Sequence, residues 1–131
     1  MKIVLDTSVY IDFAEGRPEV VDIIAVRSEE LLLPSIVLGE LFYGFTKGRR
    51  SGYNEEKLRG FITALDVAIL NVNEDVARKY ALVFSSLKQK GTPIPVNDVW
   101  IAACCMNAGG TLLTRDRHFE QVDQIDKIIL P

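Results

Sequence analysis

Four acidic residues stand where packing alone would not put them: Asp6, Glu40, Asp98 and Asp116. Asp6 ends the apolar run Ile3-Val4-Leu5, and Asp116 follows Thr111-Leu112-Leu113-Thr114 almost directly. Asp98 opens the apolar stretch from Val99 to Met106. Glu40 has Ile36, Val37, Tyr43 and Gly44 as its one-turn helical neighbours, so its face is expected to be buried. Carboxylates gathered on one rim repel one another and raise one another's pKa values unless a cation holds them. Oxygen-only ligands select a hard ion, Mg²⁺ or Mn²⁺. Zinc lacks its usual ligands here, with a single histidine, His118, and two thiols in an apolar segment. A divalent ion held by carboxylates suits phosphodiester hydrolysis, because it acidifies an attacking water and neutralises charge on the leaving oxygen.

Each acid alone also has a plain structural reading. Asp98 can favour a helix dipole or cap a first turn, worth about 0.3–1 kcal/mol. Asp116 can be a turn residue and Asp6 a helix cap. Glu40 resists this, since a carboxylate on an apolar helix costs several kcal/mol unless paired. The joint occurrence carries the weight. Thr7 or Ser8, Thr114 and Asn97 can hydrogen-bond the carboxylates and orient them, although Thr7 and Ser8 serve equally well as caps. Lys47, Arg49 and Arg50 follow the Glu40 segment, and Arg115, Arg117 and His118 flank Asp116. These cations are expected to grip a nucleic-acid backbone, with a solvated loop as the bland alternative. His118 is read as structural or substrate-facing rather than as a metal ligand.

The elements that position these groups alternate strand and helix. Ile3-Val4-Leu5 is apolar without alternation, the mark of a strand buried on both faces of a parallel sheet. Helices are expected over residues 7–14, 19–27 (with Pro18 in the first turn), 35–45 (capped by Ser35), 54–65, 74–90 (capped by Asn73, stopped by Gly91) and 97–107. Strands are expected over 31–33, 67–70, 111–114 and 127–130. This is a single domain over residues 1–131, a three-layer α/β/α sandwich with a short, mainly parallel, Rossmann-related sheet. In such sheets ligands sit outside the carboxyl ends of the strands. Asp6, Asp116 and the Asp98 helix start therefore share one rim.

Composition excludes several classes. Hydrophobic content of 48% and charged content of 25% are ordinary for a water-soluble domain. The longest uncharged apolar run is too short to span a bilayer, and no secretion signal is read, so a cytoplasmic location is expected. Cys104 and Cys105, adjacent on a helix, point apart and read as buried free thiols. A net charge of -3 argues against attachment to nucleic acid by global charge, while leaving a local basic path open.

Leu5-Asp6-Thr7-Ser8, Glu40 after the second strand, Asn97-Asp98-Val99-Trp100-Ile101-Ala102-Ala103 and Leu113-Thr114-Arg115-Asp116-Arg117-His118-Phe119 together resemble a PIN-domain ribonuclease. In size the chain is similar to the VapC toxins of type II toxin–antitoxin pairs. The resemblance implies a metal-dependent endoribonuclease with Asp6 and Asp98 as principal ligands of Mg²⁺ or Mn²⁺, and Glu40 and Asp116 completing the acidic site. It also implies an RNA substrate, a homodimer and a cognate VapB-type antitoxin. The helices at 35–45 and 54–65 are candidate dimer surfaces. Two other readings compete. A phosphatase of the haloacid-dehalogenase type wants a second aspartate two residues after the first, where Ser8 stands. A non-catalytic RNA- or protein-binding module would keep the fold without turnover. Neither a G-x-G-x-x-G nor a P-loop pattern occurs.

Overall fold

The strands are three to five residues long and the helices eight to seventeen. The computed structural model describes residues 1–131. Its strands are β1 (Lys2–Leu5), β2 (Glu30–Pro34), β3 (Ala68–Leu70), β4 (Thr111–Thr114) and β5 (Asp126–Ile129). The helices are α1 (Thr7–Ala14), α2 (Pro18–Arg27), α3 (Ser35–Thr46), α4 (Ser51–Ala64), α5 (Glu74–Lys90) and α6 (Val96–Ala108), with a 3₁₀ turn at Arg117–Gln121. All strand pairs are parallel, in the order β3-β2-β1-β4-β5. Helices cover the sheet to give the expected three-layer α/β fold. The order reverses between β1 and β4, so the sheet has its switch point there.

The central strands are the best-buried part of the molecule. Ile3, Val4, Leu5, Leu112 and Leu113 have no solvent exposure, and the register sets Val4 beside Leu112 and Leu5 beside Leu113. Gly110 leads into β4 because nothing larger fits: a Cβ there would lie 2.8 Å from Val4 Cγ2. Helix α5 begins at Asn73, whose side chain accepts from Val76 N at 3.0 Å, and ends at Gly91 with φ +69°. Cys104 and Cys105 are buried free thiols, and burial pushes Cys105 up to about 12.

Several boundaries differ from the sequence reading. Helix α4 starts at Ser51, three residues before Asn54, although Arg50 provides no side-chain cap. Ser35 is the first helical residue rather than the cap, which is Pro34. The last strand begins and ends one residue earlier than expected, and the 3₁₀ turn is new. Helix α3 buries only Val37 and Leu41, leaving Phe42 and Tyr43 exposed. Glu40 is accordingly half-buried, not enclosed. No helix is long and apolar enough to cross a membrane.

Candidate active site

The switch point carries an open cavity of about 380 Å³ lined by Asp6, Thr7, Ser8, Ile11, Glu40, Asp98, Arg115 and Asp116. All four acids singled out by the sequence meet in it. Asp6 and Asp116 arrive from the ends of the paired strands β1 and β4, Glu40 from the second turn of α3, and Asp98 from the first turn of α6. No two of them come from the same element.

Hydrogen bonds hold all four carboxylates, that of Asp98 coming from His118. Thr114, fully buried on β4, donates through Oγ1 to Asp6 Oδ2 at 2.6 Å. The same Oγ1 accepts from Asp116 N at 2.9 Å, so one hydroxyl links both strand-end acids. Asp6 Oδ1 accepts from Thr7 N at 2.8 Å, which makes Asp6, not Thr7 or Ser8, the cap of α1. Thr7 Oγ1 instead reaches across to Glu40 Oε1 at 2.7 Å, and Asn97 Nδ2 donates to Glu40 Oε2 at 3.4 Å. Thr7, Thr114 and Asn97 thus all touch the acidic group. Asp116 caps the 3₁₀ turn by accepting from His118 N at 2.9 Å.

The electrostatics of the cluster are unfavourable as it stands. Burial raises the Asp6 carboxyl above its ordinary range; the Thr114 and Thr7 hydrogen bonds oppose this, and the Glu40 and Asp116 charges add to it. Asp98 is raised to about 6, first by burial and then by the Asp116 charge. His118 answers part of this. Its Nδ1 lies 3.2 Å from Asp98 Oδ2 and 3.0 Å from Asp116 Oδ1, and the hydrogen bond to Asp98 raises the imidazole pKa. One donor atom from each of Asp98, Asp116 and His118 lies within 4.8 Å of the others. The sequence reads His118 as structural or substrate-facing, and its distances from two acids put it in a group of side chains that could hold a metal ion. Ser8 Oγ is buried without a partner in the same cavity wall. Asp98, Asp116 and His118 form the group close enough to share an ion, with Asp6 and Glu40 in the same cavity wall, and this excess of carboxylate oxygens fits a hard divalent cation.

The basic residues divide. Lys47 Nζ sits 4.5 Å from the Tyr43 ring centroid and Arg50 Cζ 4.1 Å from that of Tyr53, both on the exposed α3–α4 turn. Arg49 is exposed on the same turn, and Arg117 pairs with Glu120 at 2.7 Å. Arg115 departs from the sequence reading. Its guanidinium is bound to Asp12, Glu19 and the Pro131 carbonyl. Asp12 was not singled out; the signal available was an acid at a helix position flanked by Ile11 and Phe13.

An open, parallel α/β sheet with a carboxylate-lined crevice at its switch point defines the class. Within that class the PIN domain model matches residues 3–125, and the chain belongs to the PIN domain family. Ribonuclease VapC5 of Mycobacterium tuberculosis is 29% identical over 126 residues, covering 92% of this chain and 87% of the relative. The tRNA(fMet)-specific endonuclease VapC of Salmonella typhimurium is 29% identical over 127 residues, covering 95% of each. Among solved structures, DNA-bound VapBC from Salmonella typhimurium aligns with a TM-score of 0.84 at 27% identity over 98% of each chain. VapBC2 from Rickettsia felis, bound to a promoter DNA fragment, aligns at 0.83 and 24% identity over both full chains, a likeness of fold.

Proposed function

We propose that this chain is a metal-dependent endoribonuclease that hydrolyses RNA phosphodiester bonds and acts as the toxin of a toxin–antitoxin pair, with residues 1–131 forming one PIN domain. One observation carries the reading: Asp6, Glu40, Asp98 and Asp116 converge from four elements on one open cavity, with more negative charge than His118, beside two of them, can offset. Relatives named VapC ribonucleases support RNA as the substrate class. Solved VapBC assemblies support a VapB-type antitoxin as partner. Family membership and the exposed Phe42 and Tyr43 of α3 support a homodimer.

In this reading Asp6 and Asp98 are the principal ligands of Mg²⁺ or Mn²⁺, and Glu40 and Asp116 complete the set. The ion, when bound, supplies Lewis-acid activation of water and neutralises charge at the scissile phosphate. The protein's part is orientation. Thr114 holds Asp6 and the Asp116 backbone in register, while Thr7 and Asn97 fix Glu40. Lys47, Arg49, Arg50 and Arg117 lie on exposed surface, where they can contact the RNA backbone.

The test is induction in cells with mapping of new RNA 5′ ends, followed by cleavage assays on purified, partner-free protein with Mn²⁺. Asp6→Asn and Asp98→Asn are expected to lower cleavage about a hundredfold or more with an unchanged circular dichroism spectrum. Full cleavage by either variant would refute the site. Intact RNA with the parent protein and Mn²⁺ would favour a non-catalytic binding module.

A further inference from the structure

Asp12 is a charged residue with only 7% exposure, on a helix that otherwise packs apolar side chains. A carboxylate so placed needs compensation. It has two partners: Oδ2 accepts from Arg115 Nε, and Oδ1 lies 3.1 Å from Arg17 Nε. Arg115 uses its other two nitrogens as well. Nη2 donates to Glu19 on α2 and Nη1 to the carbonyl of Pro131, which follows β5. One guanidinium therefore ties α1, α2 and the segment after β5 to the residue between Thr114 and Asp116. Leu130 N donates to Thr114 O at 2.8 Å, so that segment is itself held against β4.

From this geometry we infer that Arg115 is a positioning residue: through Asp12 it fixes the Thr114–Asp116 loop, and so the acidic site, instead of gripping RNA. Two carboxylates face this one guanidinium, which leaves little positive charge for a phosphate. Its neighbours are the hydroxyl that holds Asp6 Oδ2 and the carboxylate beside Asp98 and His118. A shift of the Arg115 backbone would move both. Lysine, a point charge with a single nitrogen, cannot span three partners as a planar fork does.

The activity arm of the test rests on the ribonuclease reading; the metal-binding arm does not. Asp12→Asn, which keeps shape and removes charge, is compared with Arg115→Ala, Arg115→Lys and the Asp12→Asn/Arg115→Ala pair. All are assayed well below their melting temperatures. Asp12→Asn and Arg115→Ala should each lower kcat about ten- to a hundredfold with KM for RNA within about threefold of the parent. Each should also weaken Mn²⁺ binding to the metal-free protein, measured by calorimetry. The double variant should be no worse than the poorer single one, and Arg115→Lys should recover only part of the loss. A raised KM with kcat and Mn²⁺ affinity unchanged would make Arg115 an RNA contact and overturn the inference. A lower melting temperature with kcat, KM and Mn²⁺ affinity all unchanged would reduce the pair to a structural ion pair and overturn it equally. If Arg115→Ala does not fold, Asp12→Asn alone decides. If the parent cuts no RNA, Mn²⁺ affinity still does.

Discussion

Replacing Asp98 with asparagine should stabilise the metal-free protein while removing its activity. The native carboxyl holds its proton until about pH 6, whereas an unfolded aspartate releases it near 3.8. Between these values the unfolded state binds fewer protons than the native state, so stability falls as pH rises, and it levels off above pH 6. At 1.36 kcal/mol per pKa unit the full shift corresponds to about 3 kcal/mol. The cavity is open, and solvent screening removes about half of that. Loss of a favourable charge in the first turn of α6 takes back about 0.5 kcal/mol more. The net gain for Asp98→Asn at pH 7 is about 1 kcal/mol, or about 4 °C in melting temperature for a chain of this length.

The assay is thermal unfolding in EDTA from pH 4 to pH 8, parent against variant. The two curves should coincide near pH 4, separate between 4 and 6, and run parallel above. Added Mn²⁺ should reverse their order, because only the parent gains the stabilisation that a bound ligand gives the native state, about 2.7 kcal/mol at a hundred times Kd. A variant that melts lower than the parent at pH 7 in EDTA, or a gap independent of pH, would refute the electrostatic account of the site.

Thr114→Val keeps the shape of a fully buried side chain and strips Asp6 Oδ2 of its donor. Asp6 should then titrate higher, and Mn²⁺ affinity should fall by about tenfold, the equivalent of one lost charged hydrogen bond; unchanged affinity by calorimetry would contradict this. Gly110→Ala puts a methyl 2.8 Å from Val4 Cγ2 and 3.4 Å from the Lys2 carbonyl. It should cost about 1–3 kcal/mol in urea unfolding without altering Mn²⁺ affinity per folded molecule.

Local chemistry was legible wherever a residue carries its own instruction. Asn73 and Gly91 bound α5 as expected because a side-chain cap and a left-handed glycine are both written in the residue type. Helix α4 has neither signal at its start, and its first turn reads as loop in the sequence. The acidic set was legible because Glu40 and Asp98 conflict with apolar surroundings while Asp6 and Asp116 stand at the ends of apolar strands. Arg115 was not. Its neighbours in sequence are Thr114 and Asp116, and its partners Asp12 and Glu19 lie about a hundred residues away. Arginine beside an acid at a strand end looks the same in sequence whether it faces a phosphate or a buried carboxylate. Glu40 was placed too deep for a related reason: α3 is apolar nearly all round, yet only one stripe of it meets the core.

The site's position follows from the sheet order. Between β1 and β4 successive connections leave in opposite directions, so no helix closes over the rim there. Leu5 and Leu113 are paired in register and wholly buried, which fixes Asp6 relative to Thr114, and the Thr114 hydroxyl then carries both Asp6 Oδ2 and Asp116 N. Acids that repel one another would drift apart on loops. Here the repulsion works against the two best-buried strands of the molecule, β1 and β4. The same arrangement leaves the cluster short of positive charge, so in the proposed function the packing that holds the acids together would also set how strongly a divalent ion is held.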